Sequence, residues 1–186
     1  MQVGLLGLQG AFLDHIPHLQ QCGVSHTVVR TQADLAAIDR LIIPGGESTV
    51  MAKFLGEFAM TAPLKACIEA GMPVWGICAG AILLAQKVDG RPGALAALPM
   101  AVTRNAYGRQ IASDTHLLDV PLLSLYEYPA IFIRSPRIDQ WDADAVTVHA
   151  RRDPDPVFVQ KGHIMATTFH PELNPDIAFH RYFIDL

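Results

Sequence analysis

Charge is scarce in this chain. Only 17% of its 186 residues are Asp, Glu, Lys or Arg, and the 18 acidic side chains outnumber the 14 basic ones, for a formal net charge of −4. No basic stripe follows a nucleic-acid backbone and no polybasic run suits a membrane surface, so neither is an expected partner. Cysteine is scarce as well. Cys22, Cys67 and Cys78 cannot all pair with one another, and their spacing fits neither a disulfide framework nor a CxxC metal site, which makes a reducing cytoplasm the expected setting. None of the eight histidines stands at HExxH or CxxC-type ligand spacing, so no metal or other cofactor is expected. Long apolar runs are missing too. Met72–Ala85 is broken by Pro73 and by glycines and is shorter than the roughly 20 residues a membrane helix needs. The first residues run straight into a strand-like segment without the basic start of a signal peptide. These absences predict a soluble protein that meets a small molecule or another protein.

What the chain has is apolar mass, at 51% of residues. That suffices for one core without staples, and a single domain is expected over 1–186. Short apolar runs alternate with amphipathic stretches, the signature of βαβ units and a largely parallel sheet. Val3–Leu8, Thr27–Arg30, Leu41–Ile43, Met72–Ile77 and Met165–Phe169 read as strands. Helical spacing links Phe12, His15, Ile16 and Leu19, then Met51, Phe54, Leu55 and Phe58, then Leu64, Cys67 and Ile68. A helix is predicted from about Ala79 to Lys87 and another within Pro175–Leu186. Between Pro99 and Val159 prolines and short β-like pieces replace any helical period, which predicts antiparallel strands added to the parallel sheet.

The densest chemical signal is Gly76-Ile77-Cys78-Ala79-Gly80, set between an apolar strand and a run of Ala, Ile and Leu. This is a cysteine version of the nucleophile elbow. A nucleophile on so tight a turn needs small neighbours two residues either side, where strand and helix crowd, and Gly76 and Gly80 meet that demand. A free thiol is only a few per cent thiolate near neutral pH, and a helix N-terminus favours the anion. The N–H of Ala79 is placed to donate to an oxyanion on a substrate carbonyl. Cys22 and Cys67, on helix faces without flanking glycines, read as packing residues.

His170-Pro171-Glu172 supplies a base and an orienting acid. Pro171 disfavours helical geometry at His170, and in extended chain positions i and i+2 project to one side. The carboxylate would hold one ring nitrogen while the other faces Cys78, the logic of a catalytic triad. The other seven histidines, including His15, His18 and His180, read as structural or scattered.

Leu41–Thr49 is a strand that ends in Pro44-Gly45-Gly46-Glu47-Ser48 and opens a helix. It lacks the Gly-Lys-Ser/Thr of a Walker loop. As part of the same sheet it should open on the Cys78 edge, with Gly46 as a second oxyanion donor and a cap at Ser48 or Thr49 as the plain structural reading. Gly4-x-x-Gly7-x-x-Gly10 has the wrong spacing for a dinucleotide fingerprint and reads as a tight first turn. Arg104-Asn105-Ala106-Tyr107-Gly108-Arg109-Gln110 and Phe132-Ile133-Arg134-Ser135-Pro136 each carry an arginine suited to a carboxylate, although each alone reads first as a solvated charge or a surface pair.

With Gly-Ile-Cys-Ala-Gly, Pro-Gly-Gly-Glu-Ser-Thr and Phe-His-Pro-Glu in this order, the chain resembles the class I (triad) glutamine amidotransferases. The opening Gly4-Leu5-Leu6-Gly7-Leu8-Gln9-Gly10-Ala11 and the two arginine segments narrow the resemblance, along the whole chain, to the glutaminase subunits of pyridoxal 5′-phosphate synthase. Ile77 departs from the family, which usually has a small polar residue before the cysteine. The resemblance implies a three-layer, flavodoxin-like α/β fold with a mostly parallel central sheet, helices on both faces and added antiparallel strands. It implies that Cys78, His170 and Glu172 form the triad, and that Gly46, Glu47, Ser48, Arg104, Ile133 and Arg134 contact L-glutamine. It also implies a separate synthase subunit as partner, in a large hetero-oligomer making vitamin B6, to which ammonia is delivered. A glutaminase of another pathway, such as imidazole glycerol phosphate synthesis, would share the triad. A cysteine-elbow chaperone or redox sensor would share the elbow without needing His170-Pro171-Glu172, and a silent regulatory subunit would not need a complete triad.

Overall fold

A computed structural model describes residues 1–107 and 113–186, so Gly108, Arg109 and Gln110 of the first arginine segment lie outside the described residues. The first half alternates strand and helix. β1 (Gln2–Leu6) leads through a 3₁₀ turn (Phe12–His15) into α1 (Ile16–Gln21), and β2 (Ser25–Val29), α2 (Gln32–Ala36) and β3 (Arg40–Ile43) follow. Next come α3 (Ser48–Glu57), α4 (Thr61–Glu69), β4 (Val74–Ile77) and α5 (Ala79–Leu84). The second half is strand-rich: β5 (Ala85–Val88), β6 (Arg91–Pro92), β7 (Leu98–Thr103), β8 (Ser113–Val120), β9 (Leu125–Ile133), β10 (Arg137–Trp141), β11 (Thr147–Arg152), β12 (Asp155–Lys161) and β13 (Ile164–Thr167). A 3₁₀ turn (Pro171–Leu173) and α6 (Ala178–Asp185) close the chain.

The seven-stranded central sheet has the order β11-β12-β13-β4-β3-β1-β2. Its pairs β2–β1, β1–β3, β3–β4 and β4–β13 are parallel, while β12 and β11 add antiparallel to the β13 edge. The 2-1-3-4 order of the parallel strands is the flavodoxin-like doubly wound pattern. Strand side chains alternate between two separate cores, as the period of two requires. Leu41, Ile43, Val74, Ile164 and Ala166 join a core with Met51 and Leu55 of α3 and Leu64 and Ile68 of α4. Ile42, Trp75, Ile77 and Met165 face the other way, against Leu19 of α1 and Phe179 and Phe183 of α6. Helices therefore cover both faces. A four-stranded sheet, β10-β7-β5-β6, extends the first core, and the β8–β9 hairpin caps the second.

Two elements differ from the sequence expectation. The helix expected to reach Lys87 stops at Leu84, and Ala85 turns to extended backbone (φ −63°, ψ 142°) to pair parallel with β7. Ala, Gln and Lys are good helix formers, but propensity amounts to only tenths of a kcal/mol per residue, and the long-range pairing overrides it. α2 was not expected because it buries a single apolar residue, Leu35, which leaves no period to read. It is held instead by a capping box, in which the Thr31 hydroxyl accepts from the Asp34 N–H and the Asp34 carboxylate accepts from the Thr31 N–H.

Gly80 packs its Cα against the backbone of β3, where an added Cβ would run into the Ile43 carbonyl oxygen. Helix propensity alone would make Gly80→Ala stabilising by about 1 kcal/mol. The clash with a backbone atom reverses the sign, and a net loss of roughly 1–3 kcal/mol is expected from urea unfolding midpoints.

Candidate active site

The carboxyl ends of four parallel strands open onto one edge of the sheet. β1 leads into the Gln9–Ala11 loop, β3 into Gly45 and Gly46, β4 into Cys78, and β13 into the segment before His170. Open α/β sheets bind ligands at this edge.

Cys78 holds φ 49° and ψ −96°, a backbone conformation that a side chain rarely adopts. Neighbouring bonds impose it: the Cys78 N–H donates to the Thr167 carbonyl at 2.8 Å, and its carbonyl accepts from the Ile82 N–H at 3.1 Å. Gly76 and Gly80 touch across the turn, because a Cβ on Gly76 would lie 2.6 Å from the Gly80 carbonyl. The thiol is 7% exposed, and Sγ donates to the Ile133 carbonyl oxygen at 3.8 Å. Ala79 is buried at the first position of α5, directly after the nucleophile.

His170 is held by its own N–H, which donates to the Ile131 carbonyl at 2.9 Å. Its ring Nδ1 lies 2.7 Å from Oε1 of Glu172, whose side chain is fully buried. The pairing does not arise from extended chain, as the i, i+2 argument proposed. His170 is non-helical (φ −110°, ψ 84°), as Pro171 demands, but Glu172 sits in a 3₁₀ turn that curls its carboxylate back under the ring. Burial by itself would lower the His170 pKa. The nearby Cys78 sulfur and the hydrogen bond and charge of Glu172 outweigh it and push the value up to about 10. Burial likewise favours a neutral Glu172, yet the hydrogen bond to His170 and the charge of that ring hold its pKa below the ordinary value. At neutral pH the two therefore form an imidazolium–carboxylate pair. Nε2 of His170 has no fully formed hydrogen bond and is left for the Cys78 side.

Cys78, His170 and Glu172 share a cavity of about 330 Å³ with Gly46, Glu47, Ser48, Arg104, Ile133 and Arg134. Sequence candidates from five separate segments thus meet at one place. Their roles there are uneven. Glu47, and not Ser48 or Thr49, caps α3, accepting from the Thr49 N–H at 3.3 Å and from its hydroxyl at 2.9 Å. The Arg104 Nε donates to Asp89 at 2.6 Å while its backbone N–H donates to the other carboxylate oxygen at 3.0 Å. Arg134 is exposed, left-handed (φ 44°), and without a carboxylate partner among the described residues. Gly45 backs the His170 ring, and a Cβ there would collide with ring carbon Cε1.

Several contributors escaped the sequence reading. Gln9 accepts from the Glu47 N–H at 2.8 Å, and the Ala11 N–H donates to the Gly45 carbonyl at 3.0 Å. Together they pin the glycine loop to the loop after β1. The only available signal was Gly7-Leu8-Gln9-Gly10 at a strand end, which read as a plain turn. Asp89 carried no signal beyond an Asp-Gly turn. No helix among the described residues is long and apolar enough to cross a membrane.

A family model described as the SNO glutamine amidotransferase family matches residues 5–186. The chain is 43% identical over 191 residues to the pyridoxal 5′-phosphate synthase subunit PdxT of Herpetosiphon aurantiacus, covering 100% of both chains. It is 42% identical over 187 residues to PdxT of Thermotoga maritima, covering 100% of this chain and 99% of that one. Among solved structures, a glutamine amidotransferase superposes with a TM-score of 0.91 at 38% identity, covering 98% and 97% of the two chains.

Removing the Glu172 charge should release the ring. In Glu172→Gln, burial acts on His170 with less opposition, so its pKa is expected to fall from about 10 towards or below the ordinary value near 6.5. Imidazole nitrogen shifts followed across pH by NMR check this, and an unchanged titration would contradict the pairing.

Proposed function

The chain belongs to the SNO glutamine amidotransferase family, and from that premise we propose that it hydrolyses L-glutamine to L-glutamate and ammonia, supplying the ammonia to the synthase subunit of pyridoxal 5′-phosphate synthase. In this reading residues 1–186 are one amidotransferase domain that works in the cytoplasm. The observation that carries it is a strained, backbone-held Cys78 sharing one cavity with a buried His170–Glu172 pair.

Cys78 attacks the side-chain amide carbon of glutamine as the thiolate. The carbonyl oxygen becomes an oxyanion, held by N–H groups of Ala79 and the Gly46 region. His170 gives its Nε2 proton to the amide nitrogen, ammonia leaves, and a γ-glutamyl thioester remains on Cys78. A water molecule then attacks the thioester, with His170 taking its proton and returning it to the departing sulfur. Glu172 keeps the ring in one tautomer and balances its charge throughout. Arg134, with no carboxylate bound to it among the described residues, suits the α-carboxylate of glutamine. Arg104 is engaged by Asp89 and acts as a wall of the pocket more than as a free cation. Ser48, Glu47 and the Ile133 carbonyl complete the contacts to substrate.

Cys78→Ala is expected to keep the fold and release no glutamate from glutamine; undiminished turnover would refute the assignment. Arg134→Ala is expected to raise KM about tenfold, the scale of one charge-assisted hydrogen bond, with kcat little changed. Both are read in a glutamate-release assay with and without the synthase subunit. Strong activation by that subunit supports the partner, whereas indifference to it points to another pathway.

A further inference from the structure

Behind the His170–Glu172 pair lies a cluster of three histidines that the mechanism leaves unused. His15, His18 and His180 are all buried. His15 and His180 meet the face of Trp75 edge-on at 5.9 and 5.0 Å between ring centroids, and His18 stacks on His180 at 4.3 Å. Burial pushes the His15 pKa down to about 4 and that of His180 well below its ordinary value. Both are neutral rings at neutral pH, each with one N–H and one bare nitrogen.

The contacts dictate which nitrogen holds each proton. His18 Nε2 lies 2.8 Å from the Asn174 carbonyl, which only accepts, so that nitrogen carries the hydrogen. His15 Nδ1 lies 2.9 Å from His180 Nε2, so one of the two donates. His15 Nε2, across the ring, is buried without a partner among the described residues, and so is Oε2 of Glu172, the oxygen that His170 does not use. The 3₁₀ turn that carries His15 packs against the one that carries Glu172, and the carboxylate is the charge that most favours a proton on His15. A bare lone pair beside a buried carboxylate would be repulsive, whereas an N–H is attractive. The hydrogen therefore belongs on His15 Nε2, and His180 Nε2–H donates to His15 Nδ1.

We propose that His15 is a positioning residue for glutamine hydrolysis: its Nε2–H serves Oε2 of Glu172 across one buried water, and His180 fixes its tautomer from behind. This rests on the reading above that Glu172 orients His170. A carboxylate held at both oxygens cannot swing away from the catalytic ring, so Oε1 stays on His170 Nδ1 through both proton transfers. The groups that face Glu172 are His170 from its own segment, His15 and Asp14 from the first 3₁₀ turn, Tyr128 from β9 and Cys78 across the cavity. Tyr128, whose phenol burial pushes up, stays neutral. His15 is faced by Glu172, His170, His18 and His180.

The test compares the full chain and its His15→Leu, His15→Gln and His180→Phe variants, each assayed with the synthase subunit after a melting curve has verified folding. His15→Leu is expected to lower kcat about tenfold with KM within about twofold, the effect of one lost hydrogen bond to a charged group. It should also move the acid limb of kcat/KM upward, because Glu172 loses a donor that favours its ionised form. His15→Gln, whose amide N–H can replace the lost donor, should recover most of the rate, and His180→Phe should show a smaller loss of the same kind. A folded His15→Leu with normal kcat and acid limb overturns the proposal. So does equal impairment of the Leu and Gln variants with the acid limb unmoved, which marks a packing role. If His15→Leu fails to fold, imidazole nitrogen NMR of the unaltered chain decides: Nε2–H on His15 supports the proposal and Nδ1–H overturns it. Loss of the functional reading itself looks different, since the unaltered chain would then release no glutamate or Cys78→Ala would still release it, while the tautomer measurement stands alone.

Discussion

The buried ion pair between His170 and Glu172 governs the rest of the site. Taking an imidazolium and a carboxylate out of water costs several kcal/mol for each ion, and only close geometry with further hydrogen bonds offsets that cost. The chain provides the geometry through a 2.7 Å contact inside a short 3₁₀ turn. It provides rigidity by tying the His170 N–H to β9 and the preceding Thr168 N–H to the Val157 carbonyl of β12. A ring placed this way cannot seek a different partner, and its second nitrogen is left for the sulfur.

The same demand for closeness explains the glycines around the ring and the thiol. His170 packs on Gly45 so tightly that no side chain fits between them. The glycine loop is in turn pinned to the loop after β1 through Gln9 and Ala11. On the nucleophile side, Gly76 and Gly80 bring strand, helix and β3 within contact distance, and the strained Cys78 conformation survives because its backbone bonds are already committed. Strain, burial and charge are thus held by the sheet and not by the loops alone.

The histidines behind Glu172 extend this arrangement into the second core. They are polar groups in an aromatic layer built by Trp75, Phe179 and Phe183, where each unpaired nitrogen is costly. A core designed for packing alone would use Leu or Phe at these positions. Through His15, whose 3₁₀ turn packs on the one that carries Glu172, the proposed water-bridged contact would join α1 and α6 to the geometry of the site.

Local sequence determined those features whose cause is local. The elbow was legible because only glycine tolerates the crowding on both sides of Cys78, and the non-helical backbone of His170 because Pro171 follows it, whereas the 3₁₀ turn that brings Glu172 under the ring was not. The parallel strands were legible because burial on both faces leaves continuous apolar runs. Tertiary structure alone decided what depends on groups far apart in the chain. It converted Ala85–Val88 from helix to strand through pairing with β7, took Arg104 into a bond with Asp89, and left Arg134 without a carboxylate partner among the described residues. It set Gly45 under His170, packed the turn of His15 against the turn of Glu172, and joined His15 to His180 of the last helix. No period or spacing encodes such meetings, because they are fixed by the order of strands in the sheet and the sterics of the two cores.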